Sequence, residues 1–130
     1  MKCLHIITPV KDSIDSTLET VKAIMESDIL VPFTYTVYND FSTEENTHRL
    51  EEAARQWNFR LVNLSDLTDH PSPNYLLVLQ TAQKEAIEAD AGLLIVESDV
   101  IVKKNTLQSL YNGALQQKQK YKFFSEFSRS

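Results

Sequence analysis

Glycine is scarce in this 130-residue sequence, which contains only Gly92 and Gly113. A chain with so few glycines can form neither a P-loop nor a G-x-G-x-x-G turn, because both need closely spaced glycines where the backbone approaches a phosphate. If the protein binds a phosphate, another group must therefore neutralise its charge.

Cysteine and excess positive charge are also lacking. The single Cys3 excludes an internal disulfide and is typical of a reducing compartment. The net charge is −5, whereas proteins that bind nucleic acid through its phosphates carry dense positive charge. No signal-peptide-like segment is present, and no apolar run approaches the roughly 20 residues of a spanning helix. We therefore expect a cytoplasmic protein, free or at the cytoplasmic face of the membrane, that binds no nucleic acid polymer.

Apolar runs typical of strands alternate with stretches of helical periodicity. This alternation predicts an α/β domain in which helices cover both faces of a mostly parallel sheet. Right-handed crossovers favour an order with strands 2 and 3 on one side of strand 1 and strand 4 on the other. The fourth run is apolar enough to predict a strand buried on both faces. The four predicted strands contain residues 4–7, 35–38, 60–64 and 93–96.

Local signals predict where the helices begin and end. Asp12 or Ser13 is expected to cap the first helix, and Ser42 with Glu45 has the spacing of a capping box before the second. Gly92 is expected to end the third helix.

The C-terminal end is interpreted as a separate segment. The aromatic residues within 121–127 resemble the start of a fifth strand. We therefore expect a domain over residues 1–116 and a tail, or the start of a further strand, over residues 117–130. An unpaired strand edge at this end would favour a homo-oligomer.

Two acids interrupt the apolar run "IVESDVIV" at residues 95–102. In an extended segment Glu97 and Asp99 point the same way, and two such carboxylates repel each other unless a cation lies nearby. A divalent ion such as Mg²⁺ or Mn²⁺ is a suitable partner, because it prefers oxygen ligands and keeps positions open for phosphates. In the structural alternative, Asp99 caps a turn and Glu97 pairs with Lys103 or Lys104.

Polar groups are predicted to meet where three strands end. Thr8-Pro9-Val10 ends the first strand, Asp40 ends the second and Glu97–Asp99 ends the fourth. Ligands of doubly wound sheets bind at the carboxyl ends of the strands, where the strand order reverses. The sequence therefore predicts a crevice in which a metal links a diphosphate to a carboxylate.

Three segments in order resemble the landmarks of family-two glycosyltransferases. They are "IITPVKD" at 6–12, "YNDFSTEENT" at 38–47 and "LIVESDV" at 94–100. The resemblance covers about residues 3–116. It implies an inverting transferase with a Rossmann-like, nucleotide-diphospho-sugar transferase fold, of which this chain would be the N-terminal, donor-binding half.

The resemblance also implies roles for individual residues. Thr8, Pro9 and Val10 would line the pocket for the base and ribose of a nucleotide sugar, and UDP is the expected nucleotide. Asp40 would hydrogen-bond the base, commonly uracil. Glu97 would lie near the ribose and the metal, and Asp99 would bind the metal beside the diphosphate.

Some positions depart from the family pattern. Asn39 replaces the first acid of the turn, Phe41 replaces a small residue, and Glu97 stands where the family has Asp. The acceptor site and the catalytic base of the family lie beyond the fourth strand. The resemblance therefore assigns no catalytic residue here and implies neither an acceptor nor activity of this chain alone.

Two other functions compete with this interpretation. A non-catalytic or truncated α/β module would bind a nucleotide or a partner without turnover. A haloacid-dehalogenase-like phosphatase would match the apolar strand before "ESDV", but it needs an aspartate nucleophile where Glu97 stands. The polar loop over residues 65–73 could close over a donor in the transferase interpretation.

Overall fold

The computed structural model describes residues 1–128, which form a four-stranded sheet with helices on both faces. The strand order is β3-β2-β1-β4, and every neighbouring pair is parallel. This confirms the predicted α/β class and the predicted strand order. The elements are β1 (Cys3–Val10), α1 (Ile14–Met25), β2 (Phe33–Asn39), α2 (Glu44–Trp57), β3 (Arg60–Asn63), a 3-10 turn (Leu64–Asp66), α3 (Tyr75–Glu88), β4 (Ala91–Ile95) and α4 (Thr106–Ser128).

The alternation of side chains along β1 divides the core into two parts. Leu4 and Ile6 belong to a larger core, which also contains buried residues of α1, α2 and α4. Ile7 points the other way and packs in a smaller core with Val78 and Ala82 of α3. A central strand that has neighbours on both sides and helices on both faces is buried on both faces of the sheet. No helix within residues 1–128 combines the length and the apolar character needed to cross a membrane.

The strand β4 lies at the edge of the sheet. Within the described residues it pairs only with β1, and its last residue, Ile95, is 38% exposed. The prediction that this strand is buried on both faces is therefore wrong. Leu94 packs against the larger core and Leu93 against the smaller one, but both are only partly buried, and the apolar composition did not indicate how completely each face is covered.

The boundary between α3 and β4 also differs from the prediction. The helix ends at Glu88, and Gly92 lies inside β4. The chain turns instead at Asp90, whose φ of 51° lies in the left-handed region. Aspartate tolerates this conformation better than most residues, so the turn needs no glycine.

Ser13 is the N-cap of α1, one of the two predicted residues, although its side chain makes no capping hydrogen bond, whereas the predicted cap of α2 is wrong. Thr43 is the N-cap of α2, and its hydroxyl accepts a hydrogen bond from the Asn46 N–H at 3.2 Å. Ser42 accepts instead from the backbone N–H of Asp12 at 2.7 Å, so it does not act with Glu45 as a capping box. Asp12 Oδ1 accepts from Thr43 N at 2.8 Å and from Asn46 Nδ2 at 3.0 Å. Asp12 therefore holds the start of the second helix rather than that of the first.

The C-terminal residues continue α4 as far as Ser128, so the prediction of a strand over 121–127 is wrong. A strand without a neighbour leaves its backbone N–H and C=O groups unpaired, whereas a helix pairs them internally. The side chains of 118–130 lie outside the described residues. The division of the chain at residue 116 and self-association through this end stay predictions.

Candidate functional site at the carboxyl edge of the sheet

Three strand ends lie side by side at one edge of the sheet. The register pairs Val10 of β1 with Asn39 of β2, and Asp40 N donates to the Val10 carbonyl at 2.7 Å. On the other side of β1, Val96 N donates to the Ile7 carbonyl at 2.9 Å. The segments that follow β2 and β4 therefore flank the end of β1, one on each side.

The predicted pocket residues of β1 do not share one environment. The Thr8 side chain is fully buried, and its Oγ1 accepts a hydrogen bond from the Tyr35 hydroxyl at 2.8 Å. Burial raises the pKa of Tyr35, so this phenol stays a donor. Val10 is buried in the larger core, whereas Pro9 is half-buried. Of the three residues, Pro9 is the one whose side chain has a partly exposed surface.

Asp40 is 8% exposed, and both of its carboxylate oxygens accept hydrogen bonds. Asn74 donates from its backbone N–H to Oδ2 and from Nδ2 to Oδ1, each at 2.8 Å, and Ser72 Oγ donates to Oδ2 at 2.9 Å. Burial alone would raise the pKa of Asp40, but these hydrogen bonds and the nearby charge of Lys11 hold it below the ordinary value. A carboxylate has roughly four acceptor positions, so about one is left for a ligand.

Glu97 and Asp99 are both exposed, and neither forms an ion pair within the described residues. The strand ends at Ile95, and Ser98 and Asp99 form a turn in which Val100 N donates to the Glu97 carbonyl at 3.2 Å. The expectation of an extended segment here is wrong, and the alternation argument for the two side chains no longer applies. The turn is fixed to α1, because Thr20 Oγ1 donates to the Ser98 carbonyl at 3.0 Å.

Two residues at this edge were missed by the sequence reasoning. Lys11 Nζ donates to the Phe41 carbonyl and lies 4.0 Å from Asp12 Oδ2, so a cation sits between the ends of β1 and β2. Asn74 precedes α3 and holds Asp40. Lys11 could have been found as the basic residue directly after a strand end that was expected to meet phosphate. Asn74 could have been found as a polar residue at a helix start.

The carboxylate oxygens at this edge are compatible with a hard divalent ion that also binds a ligand. No group of three His, Cys, Asp or Glu side chains within residues 1–117, whose side chains the structure describes, is arranged to hold a metal. Glu97 and Asp99 offer two unpaired carboxylates, and Mg²⁺ is usually bound by one or two carboxylates together with phosphate oxygens and water. These residues therefore fit a metal that arrives with a phosphate ligand better than a metal held by protein alone.

Comparisons with known proteins agree on the fold. No family model and no curated protein matches the sequence. The structure of S. aureus TarS 1-349 is similar over 85% of this chain and 31% of that chain, with 20% identity and a TM-score of 0.59. The same protein in complex with UDP-GlcNAc gives 22% identity and a TM-score of 0.58 over 85% of this chain and 30% of that chain.

A third similar structure is the mannosyltransferase PcManGT from Pyrobaculum calidifontis in complex with GDP-Man and Mn²⁺. It has 18% identity and a TM-score of 0.62, over 81% of this chain and 30% of that chain. This chain thus spans less than a third of the length of each of these structures. At such identities the likeness establishes the fold alone, and it agrees with the predicted Rossmann-like α/β class.

Proposed function

We propose that this chain binds the nucleotide diphosphate of a sugar donor at the carboxyl edge of its sheet, as the donor-binding part of a glycosyltransferase. One observation carries the proposal. Glu97 and Asp99 follow β4, are exposed and form no ion pair with the described side chains, and the fold of this chain is similar to those of structures in complex with UDP-GlcNAc and with GDP-Man and Mn²⁺. Unpaired acids beside a topological switch point are suited to ligand binding.

A divalent metal, Mg²⁺ or Mn²⁺, would be held by Asp99 and Glu97 together with oxygens of the diphosphate. When bound, such an ion stabilises the negative charge that develops on a diphosphate leaving group. This role agrees with the scarcity of glycine, because a chain without a glycine-rich cradle needs another source of positive charge.

The other residues of this edge would orient the nucleotide. Lys11 supplies a positive charge between the ends of β1 and β2, where it would attract a phosphate. Pro9 offers an apolar surface to a base or ribose, with Thr8 and Val10 supporting it from the core. Asp40 keeps about one acceptor position, which suits a single N–H such as that of uracil. A UDP-sugar is therefore the proposed donor.

Calorimetric titration with UDP, in the presence and absence of Mn²⁺, tests the proposal. Binding should need the metal, and both Asp99→Asn and Glu97→Gln should weaken it at least tenfold. Glu88→Gln changes an exposed acid at the C-terminal end of α3 and is the matched control, with no expected effect. Equal affinity without metal, or no loss in the Asp99→Asn protein, would contradict the proposal. Repeating the titration with GDP would test the choice of base.

A second candidate is a nucleotide-binding or partner-binding module without turnover. It is favoured by the hydrogen bonds that Ser72 and Asn74 already donate to Asp40, and by the lack of a three-ligand cluster among the side chains of residues 1–117. This candidate predicts that the affinity for UDP is the same with and without Mn²⁺ and is unchanged in the Asp99→Asn protein. A phosphatase would instead release phosphate from a generic ester, which the same protein samples can be assayed for.

A further inference from the structure

A cavity of about 460 Å³ lies at the opposite, amino edge of the sheet. It forms because β3 pairs with β2 only from Thr36 onward, which leaves the first residues of β2 without a neighbour on that side. We call it the amino-edge cavity, and its polar lining includes His5, Thr34, Thr36, Asn58, Arg60 and Glu85. Its volume is in the range of small-molecule sites.

Two side chains of this lining have buried polar atoms without a partner. His5 Nε2 and Thr36 Oγ1 are covered from solvent and form no hydrogen bond with the part of the chain that the structure describes. The other ring nitrogen, His5 Nδ1, lies 2.7 Å from Thr34 Oγ1. Buried polar groups are nearly always paired in folded proteins, so each unpaired atom here indicates a missing partner.

The position of Glu85 defines what this partner could be. Glu85 Oε2 lies 3.8 Å from His5 Nε2, which is too far for a direct hydrogen bond. A single oxygen that both accepts and donates could bridge the two atoms from one side, at hydrogen-bond distance from each. A hydroxyl group has this property, and it would reach the covered His5 nitrogen when Arg60 and Glu85, whose side chains are 52% and 32% exposed, shift together as an intact pair.

The charges of the amino-edge cavity cancel. Arg60 donates to both oxygens of Glu85, at 2.6 and 2.9 Å. Burial lowers the pKa of His5 despite the nearby Glu85, so the imidazole is neutral at pH 7. An anion would have to displace Glu85 from Arg60, and a cation would have to displace Arg60 from Glu85. Neither exchange is favourable, because the bidentate pair is strong.

The apolar part of the wall includes Met25, Phe33 and Ala91. We propose that the amino-edge cavity binds a small uncharged molecule that has an apolar body and a hydroxyl group, with the hydroxyl between His5 and Glu85. This site is separate from the carboxyl edge, so it does not depend on the function proposed above.

Three probes of nearly equal shape test the chemistry of the ligand. Benzyl alcohol carries the hydroxyl, toluene lacks it and benzoate replaces it with a charge. In an NMR titration of the full chain, benzyl alcohol should cause saturable shifts at His5, Thr34 and Thr36. Toluene and benzoate should bind at least fivefold more weakly. No saturation with benzyl alcohol, equal binding of toluene, or shifts confined to other parts of the chain would overturn the proposal.

A charge change provides an independent check. Glu85→Gln keeps the shape of the side chain but frees Arg60, so the preference should reverse and benzoate should bind better than benzyl alcohol. Glu88→Gln, an exposed change on the same helix, is the matched control and should leave the wild-type preference intact. If Glu85→Gln leaves the order of the three probes unchanged, the proposed position of the hydroxyl is wrong.

Discussion

Asn74 donates two hydrogen bonds to Asp40, from its backbone N–H and from its side-chain amide, each at 2.8 Å. The pair joins the residue that follows β2 to the residue that precedes α3, although 34 positions separate them in the sequence. The same amide group also donates to the His70 carbonyl at 2.9 Å. The loop before α3 is therefore fastened to the carboxyl edge of the sheet through one carboxylate.

Replacing this carboxylate should make stability less dependent on pH. The pKa of Asp40 is lowered in the folded protein, so its contribution is complete above the unfolded-state pKa, near 3.8, and is lost as the pH falls through the lower folded-state pKa. We expect Asp40→Asn to lower the free energy of unfolding at pH 7 by about 1–3 kcal/mol and to have a smaller effect in acid. Urea unfolding at pH 7 and in acid measures the loss of stability, and an equal loss under the two conditions would contradict the prediction.

The N-cap of α2 gives a second prediction. Thr43→Ala should lower the free energy of unfolding by about 1 kcal/mol, because the Asn46 N–H loses its acceptor. Glu45→Gln alters the residue that the sequence pattern wrongly placed in a capping box, and it should change stability little. Denaturant titration of both proteins distinguishes the two assignments. A larger loss for Glu45→Gln than for Thr43→Ala would restore the capping box.

The charge of Lys11 should matter for a diphosphate but not for an uncharged nucleoside. Lys11→Gln is expected to weaken Mn²⁺-dependent UDP binding by about threefold to tenfold, which corresponds to one charge-assisted hydrogen bond of modest net strength. Lys22→Gln, which changes an exposed lysine in the last turn of α1, is the control. Calorimetry with UDP and with uridine separates the two effects. If the change weakens both ligands equally, Lys11 does not contact the phosphates.

Replacing each of two buried threonines with valine should change the free energy of unfolding in opposite directions. Thr36→Val removes a hydroxyl that has no partner, so it should raise the free energy of unfolding by about 1 kcal/mol. Thr8→Val removes the acceptor of the Tyr35 hydroxyl and should lower that free energy by about 1–3 kcal/mol. Thermal and urea unfolding measure both changes. A loss of stability in the Thr36→Val protein would show that its hydroxyl already has a partner.

Much of the fold could be predicted because its signals are local. The sequence shows directly which faces are buried. This appears in the apolar runs of β1 and β2, in the helical spacing of Val21 and Ile24 in α1, and in Leu50 on the apolar face of α2. With four parallel strands and right-handed crossovers, few strand orders remain, and the predicted order is the one observed. The helix caps were harder to predict, because Asp12, Ser42 and Thr43 all carry oxygens that could accept from the start of a helix. Only the contacts among these residues in the folded chain determine which oxygen does so.

The amino-acid sequence by itself determined the alternation of strands and helices, the order of the strands and the gathering of polar residues at one edge, since these follow from periodicity and chain handedness. Only the tertiary structure decided which polar atoms are free to bind. Asp40 is largely occupied by Asn74, Glu97 and Asp99 lie around a turn rather than along a strand, and His5 Nε2 is left without a partner. The reason is physical: a hydrogen bond depends on distance in space, and residues far apart in the chain meet only after folding.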